Sequence, residues 1–339
     1  MAKTNAPARK AAPRTVPAKV GRAERAEVPA PERPPPMIAQ AGEDGLGWVD
    51  AGRGYRLALD GGKLAATNAR GKRLTAVPKE LRGGEVAARL EALRDWLIEH
   101  DRACTAAVER WMLRSLPVPR AVLQAVWEDA AWRGRLENAV IAAAAADDAG
   151  ADGGLDPAST GLFRGVDPER GVGIVDLDGE TLWLDAERIA IPHPILLLEL
   201  DAWRELAMQL GLAQGVSQLY RETYAKPAGA AGTAIDRFED GRFAMLLHAA
   251  GRARALGYQV RGGFATCRVW DAGAAGEARY WLGDDDAYAE AYTGALSWVD
   301  EHDRGLALAD VGPVAFSEGM RMASAIYAAR IVGGGEGTP

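Results

Sequence analysis

Two cysteines, Cys104 and Cys267, are all that 339 residues contain. They cannot make a disulfide framework, and thiol usage this low suits a reducing compartment, so a cytoplasmic location is expected. The four histidines are scattered, with no HxxxH, HExxH or CxxC spacing, so no metal site is expected. The longest apolar run, Ile195 to Leu198 with its flanks, is broken by Glu199 and Asp201, well short of the roughly 20 residues that cross a bilayer. The first residues are rich in Ala, Pro, Lys and Arg without an apolar centre, so they are not expected to act as a secretory signal. Gly45-Leu-Gly47 and Gly171-Val-Gly173 lack the third glycine and following helix of a dinucleotide loop, and no Gly-Lys-Ser/Thr occurs. No cofactor is therefore expected. Ser317 has no Gly-x-Ser-x-Gly around it and reads as a helix N-cap. Asp284-Asp-Asp286 reads as the start of a short helix rather than a calcium loop.

What is present can build a core: 48% of residues are hydrophobic against 26% charged, a soluble globular composition. Charge is uneven. Residues 1–41 carry eight Lys/Arg and three Glu, a net +5, which leaves −12 for the rest of a chain whose total is −7. An acidic body disfavours a broad nucleic-acid-binding face. Residues 1–42 hold eight of the 18 prolines and almost no large apolar side chain, so a disordered basic tail is expected. Its alternative role is an arm touching nucleic acid or an acidic partner.

From Trp48 onward the pattern is that of an α+β protein: small antiparallel sheets packed with several helices. Tyr55–Leu59 and Lys63–Thr67 alternate about an Asp60-Gly-Gly62 turn, and Leu74–Val77 completes an expected three-stranded meander. Val86, Leu90, Leu93 and Leu97 recur at helical spacing, predicting a helix up to Pro117, followed by another over Val122–Trp127. Ala142–Gly154 is the best internal boundary. It separates an N-terminal part, 43–150, from a C-terminal part, 151–332, ahead of a loose tail, 333–339. Neither sheet is wide enough alone, so the two parts are expected to share a core. The C-terminal part opens with a hairpin, Gly173–Leu177 and Thr181–Leu184. An apolar helix is expected from Ile195 through Leu210, and another from Phe238 to Leu256 ending at Gly257. Strands follow at Tyr258–Val260, Thr266–Trp270 and Ala278–Leu282, with a last helix from Ser317 to Ile331. His248 reads as a core or boundary residue.

The densest polar stretch is Gln214-Gly-Val-Ser-Gln-Leu-Tyr-Arg-Glu-Thr-Tyr224, read as three helical turns, followed by Asp236-Arg237-Phe238. On a helix Gln214, Gln218, Arg221 and Glu222 would share a face. Partly buried charges need partners, which leaves two readings open. One is a structural network stapling this helix to the last one through Glu318 and Arg321. The other is a ligand or anion pocket with Arg221 and Arg237 as bidentate donors, Glu222 as orienting carboxylate or base, and Tyr224 in the lining. His193, between two prolines, reads as a turn-and-cap residue that could also face the pocket.

Ile191-Pro-His-Pro194, the Gln214–Tyr224 stretch, Asp236-Arg237-Phe238 and Phe316-Ser-Glu-Gly-Met-Arg321 occur in this order. Together they resemble the bacterial domain of unknown function 4132, the C-terminal region of MolR-like "molybdate metabolism regulator" proteins. The resemblance spans roughly 45–331. Where relatives carry Pro-Phe after the first Gln, this chain has Gly215-Val216; Asp236 replaces an Asn, and Met322-Ala-Ser-Ala325 stands where an acidic pair is usual. The resemblance implies membership of a multi-component bacterial system with a MoxR-type AAA ATPase and a von Willebrand A-domain protein. It implies no established reaction. The expected role is thus a non-catalytic interaction or regulatory component. A ligand-binding protein or enzyme, or a nucleic-acid-associated protein acting through the tail, are the alternatives.

Overall fold

The computed structural model describes residues 40–41, 47–114, 116–144, 159–239, 241–243, 246–271, 274–283 and 291–330. The tails before 40 and after 330, most of the Ala/Asp/Gly-rich segment and Asp284–Asp286 lie outside them. Among the described residues six helices and four antiparallel sheets make up an α+β fold.

The first sheet is ordered β1 (Gln40–Ala41), β2 (Gly47–Gly52), β3 (Tyr55–Asp60), β4 (Lys63–Thr67). Gly61 and Gly62 both take positive φ, +52° and +75°, the requirement of the two-residue hairpin that the sequence signals. The meander's third strand lies on the other side from the one expected: β2 pairs with β3, while Leu74–Val77 is not a strand. After a single bridge, Thr67 to Arg73, the chain leaves the edge for the 3-10 turn Lys79–Leu81 behind Pro78.

Helix α1, Glu85–Leu113, sets Ala87 and Leu90 on this sheet and sends Cys104, Val108, Trp111 and Met112 into a separate, larger core. Helices α2 (Arg120–Trp127) and α3 (Ala130–Leu136) complete that layer, and Asp129 caps α3 by accepting from Ala131 and Trp132 N–H. They pack on a six-stranded sheet ordered β5 (Val118–Pro119), β10 (Arg188–Ala190), β6 (Val140–Ala143), β7 (Thr160–Asp167), β8 (Gly171–Val175), β9 (Thr181–Leu184). This sheet takes strands from both sides of residues 145–158. β6 lies inside it with Val140, Ile141 and Ala142 fully buried.

The apolar helix expected from Ile195 begins later. Pro194–Leu196 is one 3-10 turn capped by His193, Leu197 is extended, and α4 spans Leu200–Gln209. Residues 211–233 form turns and extended strap, so the helix expected over Gln214–Tyr224 is absent. Its polar side chains bond the backbone of other elements, which a helix turning every 3.6 residues would not allow.

The third sheet is ordered β11 (Ala234–Ile235), β17 (Leu296–Val299), β15 (Ala274–Trp281), β14 (Phe264–Asp271), β13 (Gln259–Arg261), beside a short pair, β12 (Arg242–Phe243) and β16 (Ala291–Tyr292). β12 shortens the helix expected from Phe238 to α5, Leu246–Ala255. That helix ends as expected at Gly257, at φ +85°, the left-handed C-cap that glycine adopts without strain. His248 is exposed rather than in the core. Helix α6, Pro313–Tyr327, starts at Gly312 with Pro313 in its first turn, so Ser317 is interior and not the cap. Val314 to Met320 are all buried, and Phe316 stacks on Trp298 at 5.4 Å.

Candidate functional site

The polar residues singled out in the sequence meet at the buried face of α6. Glu318 has no exposed side-chain surface. Arg221 grips it with two parallel bonds, Nε to Oε1 and Nη2 to Oε2, both 2.7 Å. Arg321, one turn along α6, donates from Nη2 to Oε2 at 2.9 Å. His193 adds the third donor at 3.1 Å to Oε1. The His193 Nδ1 accepts from the Ile195 N–H at 3.2 Å, so the proton resides on Nε2 and points at the carboxylate.

The charge balance follows. Burial pushes the Glu318 carboxyl up, but the bonds from Arg221, His193 and Arg321 outweigh it and hold the group well below the usual 4.5. Burial depresses His193 below 6.5 despite the carboxylate beside it, so the ring is neutral. Two guanidiniums therefore face one carboxylate. Glu109 of α1 supplies a further negative charge 3.7 Å from Arg221 Nη1, and Arg321 keeps about a quarter of its side chain in water, at 27%. Bidentate, charge-assisted bonds of this kind are strong and geometrically exacting.

Gln214 and Gln218 anchor the strap one layer away. The Gln218 amide accepts from Val140 N at 2.7 Å and donates to Val140 O at 2.9 Å and Pro192 O at 2.7 Å, pairing with β6 as a strand residue would. Gln214 donates to Asn138 O at 2.7 Å and accepts from Leu219 N at 2.8 Å. Tyr224 N donates to Ser317 Oγ at 3.1 Å, which is what Ser317 does in place of capping. Glu222 is exposed and bonds the Tyr224 hydroxyl. Arg237 is exposed, with its guanidinium 4.8 Å from the Phe238 ring centroid. Arg221 and Arg237 thus have different partners and do not form one fork around Glu222.

Sequence reasoning missed several members. Arg135 donates to Gly215 O at 2.7 Å while paired with Asp101. Asn138 Nδ2 donates to Ala213 O at 2.8 Å. Lys226 Nζ donates to the carbonyls of Leu308, Ala309 and Val311 at 3.1, 2.9 and 2.7 Å. These side chains reach backbone groups 75 to 85 residues away, and no local pattern marks such contacts.

Two other clusters carry less chemistry. His100 Nε2 lies 2.8 Å from Asp129 and 3.8 Å from Cys104 Sγ, so both flank the same ring nitrogen and no nucleophile–base–carboxylate relay exists. Burial, aided by Asp129, pushes the Cys104 thiol up to about 11, and burial pushes Cys267 to about 12. A surface cavity of about 110 Å³ on the third sheet is lined by Arg268, Glu277, Arg279, Asp300, Glu301 and Asp303. Glu277 occupies both arginines at 2.8 Å. Among the described residues no three His, Cys, Asp or Glu side chains are grouped to hold a metal ion, and no helix is long and apolar enough to cross a membrane.

Fold and site together define an α+β protein whose main sheets are joined by a strap and a saturated buried ion-pair cluster. The chain belongs to the family described as a domain of unknown function (DUF4132), matched over residues 71–258. The match contains His193 and the whole strap and stops before α6, which holds Glu318 and Arg321. No curated protein and no solved structure matches the chain.

Proposed function

We propose that this chain is a non-catalytic interaction or regulatory component, a cytoplasmic MolR-like protein working with a MoxR-type AAA ATPase and a von Willebrand A-domain partner. The observation that carries this reading is the apolar surface around α4. Leu198, Met208 and Tyr220 are 77%, 65% and 56% exposed. Tyr220 follows Leu219, whose carbonyl accepts from Arg204 of α4 at 2.7 Å, and Met208 lies one helical turn beyond Arg204. Leu198 enters the same helix. We read these three exposed side chains, on α4 and the segments that flank it, as one contact surface for another protein. The polar cluster supports the same reading, because Arg221 and His193, the two most buried donors around Glu318, bond inside the fold.

Gentle co-purification of the full chain from its host tests this. The ATPase and the A-domain protein are expected to be recovered with it. The combined variant Leu198→Asp, Met208→Asp, Tyr220→Ser is expected to lose them, with affinity down roughly tenfold or more and an unchanged melting temperature. Recovery of the chain alone, or equal recovery with the variant, overturns the proposal.

A further inference from the structure

Most sheet edges in this fold are guarded. Among the described residues β4 carries Lys63 and is bridged at Thr67 by Arg73, β13 ends in Arg261, and β5 contains Pro119. β1, β11, β12 and β16 are two residues long. Charge, proline and brevity are the devices that keep an edge from pairing with another segment. β9, four residues long, carries neither charge nor proline. It ends the six-stranded sheet, reads Thr181-Leu-Trp-Leu184, and pairs with β8 in unbroken register from Val175 opposite Thr181 to Val172 opposite Leu184. Alternate residues of an antiparallel pair turn their N–H and C=O toward the neighbour, so the other half face away from β8. Trp183, 42% exposed, stands on Gly173 and under the Arg170 guanidinium, 5.6 Å from the ring centroid.

The surroundings of β9 have a sign. Asp178 and Glu180 are exposed in the turn entering it, and Asp185 and Glu187 are exposed just after it. Arg120 bonds Asp185 at 3.0 Å and Arg170 lies over Trp183, which leaves the entering turn the more acidic end. The chain holds a segment of opposite sign. Residues 1–39 carry eight Lys/Arg against three Glu, with Ala18 to Val28 free of proline. Extended, such an arm spans up to ~130 Å, while a folded chain of this size is roughly 50 Å across. Starting from β1 it can reach any edge.

We propose that the outer side of β9 is a docking edge, and that the basic arm, residues 1–39 of the same molecule, adds to it as an extended strand. Main-chain hydrogen bonds supply the contact and the acidic turn sets its direction. This is independent of the α4 surface.

Residue-resolved amide exchange on the full-length chain tests it. The outward amides within Thr181–Leu184 are expected to exchange about tenfold more slowly than in a full-length variant with the eight arm Lys/Arg changed to Gln. The charge reversal Glu180→Arg with Glu187→Arg should abolish the protection, as should about 0.5 M salt. Outward amides that exchange freely in the unmodified chain, or protection indifferent to the arm charges, overturn the proposal. So does protection that appears only as protein concentration is raised, which would assign the edge to a second copy.

Discussion

Glu318 draws its donors from side chains 125, 97 and 3 residues away, in His193, Arg221 and Arg321. Removing its charge leaves the buried Arg221 guanidinium without its bidentate partner, Arg321 being partly in water. Glu318→Gln is therefore expected to cost about 3–5 kcal/mol, read as a lower denaturant midpoint at neutral pH. Acid should act on the same cluster in two stages. His193 and Glu318 both bind protons less readily folded than unfolded, so their stabilisation is complete above about 6.5 and 4.5 respectively and drains away as pH falls below each value. Midpoints measured from pH 7 to pH 3 should fall along this course, and Glu318→Gln should flatten the lower stage. That these residues matter was legible in the sequence: charged groups crowded beside apolar segments must find partners. Which partners could not be read, because a guanidinium's choice between Glu222 and Glu318 depends on the backbone path between them.

At the scale of elements, helices and tight hairpins were written locally and the strap was not. α1 follows from its 3.6-residue apolar spacing, and the β3–β4 turn from its two glycines. The strap's run of Gln, Arg, Glu and Tyr suits a helix equally well, and only side-chain bonds to Val140, Pro192 and Glu318 pull it straight. β6 escaped for a related reason: an alanine-rich run reads as punctuation until its neighbours cover it. Gly215 gives the strap a test. A Cβ there would sit 1.8 Å from the Gly134 carbonyl oxygen, against backbone that cannot swing aside. Gly215→Ala is expected to destabilise by about 3 kcal/mol. Two residues on, exposed Ser217→Ala should change stability by less than about 0.5 kcal/mol. Calorimetry of the pair separates a sterically fixed strap from a loosely laid loop.

Across the whole molecule, α1 is a span between two unequal supports. It contacts the first sheet through Ala87 and Leu90 and the larger core from Cys104 onward, while Leu97 and Ile98 between them are 45% and 42% exposed. The first sheet's cluster is small, whereas the six-stranded and five-stranded sheets are tied through Arg221 and Glu318. Native-state amide exchange should therefore show β2 to β4 opening at lower free energy than β6, β7, β14 and β15, with the latter four exchanging together. Equal protection across both regions would contradict this division.

The distance along the chain between Arg221 and its carboxylate also has a consequence in time. A ribosome adding about 5–20 residues per second delivers the guanidinium roughly 5–20 s before the 97 intervening residues bring Glu318. During that interval the nascent strap can touch β6 through Gln218, and Arg221 has Glu109 beside it but not yet its bidentate partner. The last act of maturation is then the arrival of α6, a keystone lowered into a gap whose sides are already standing.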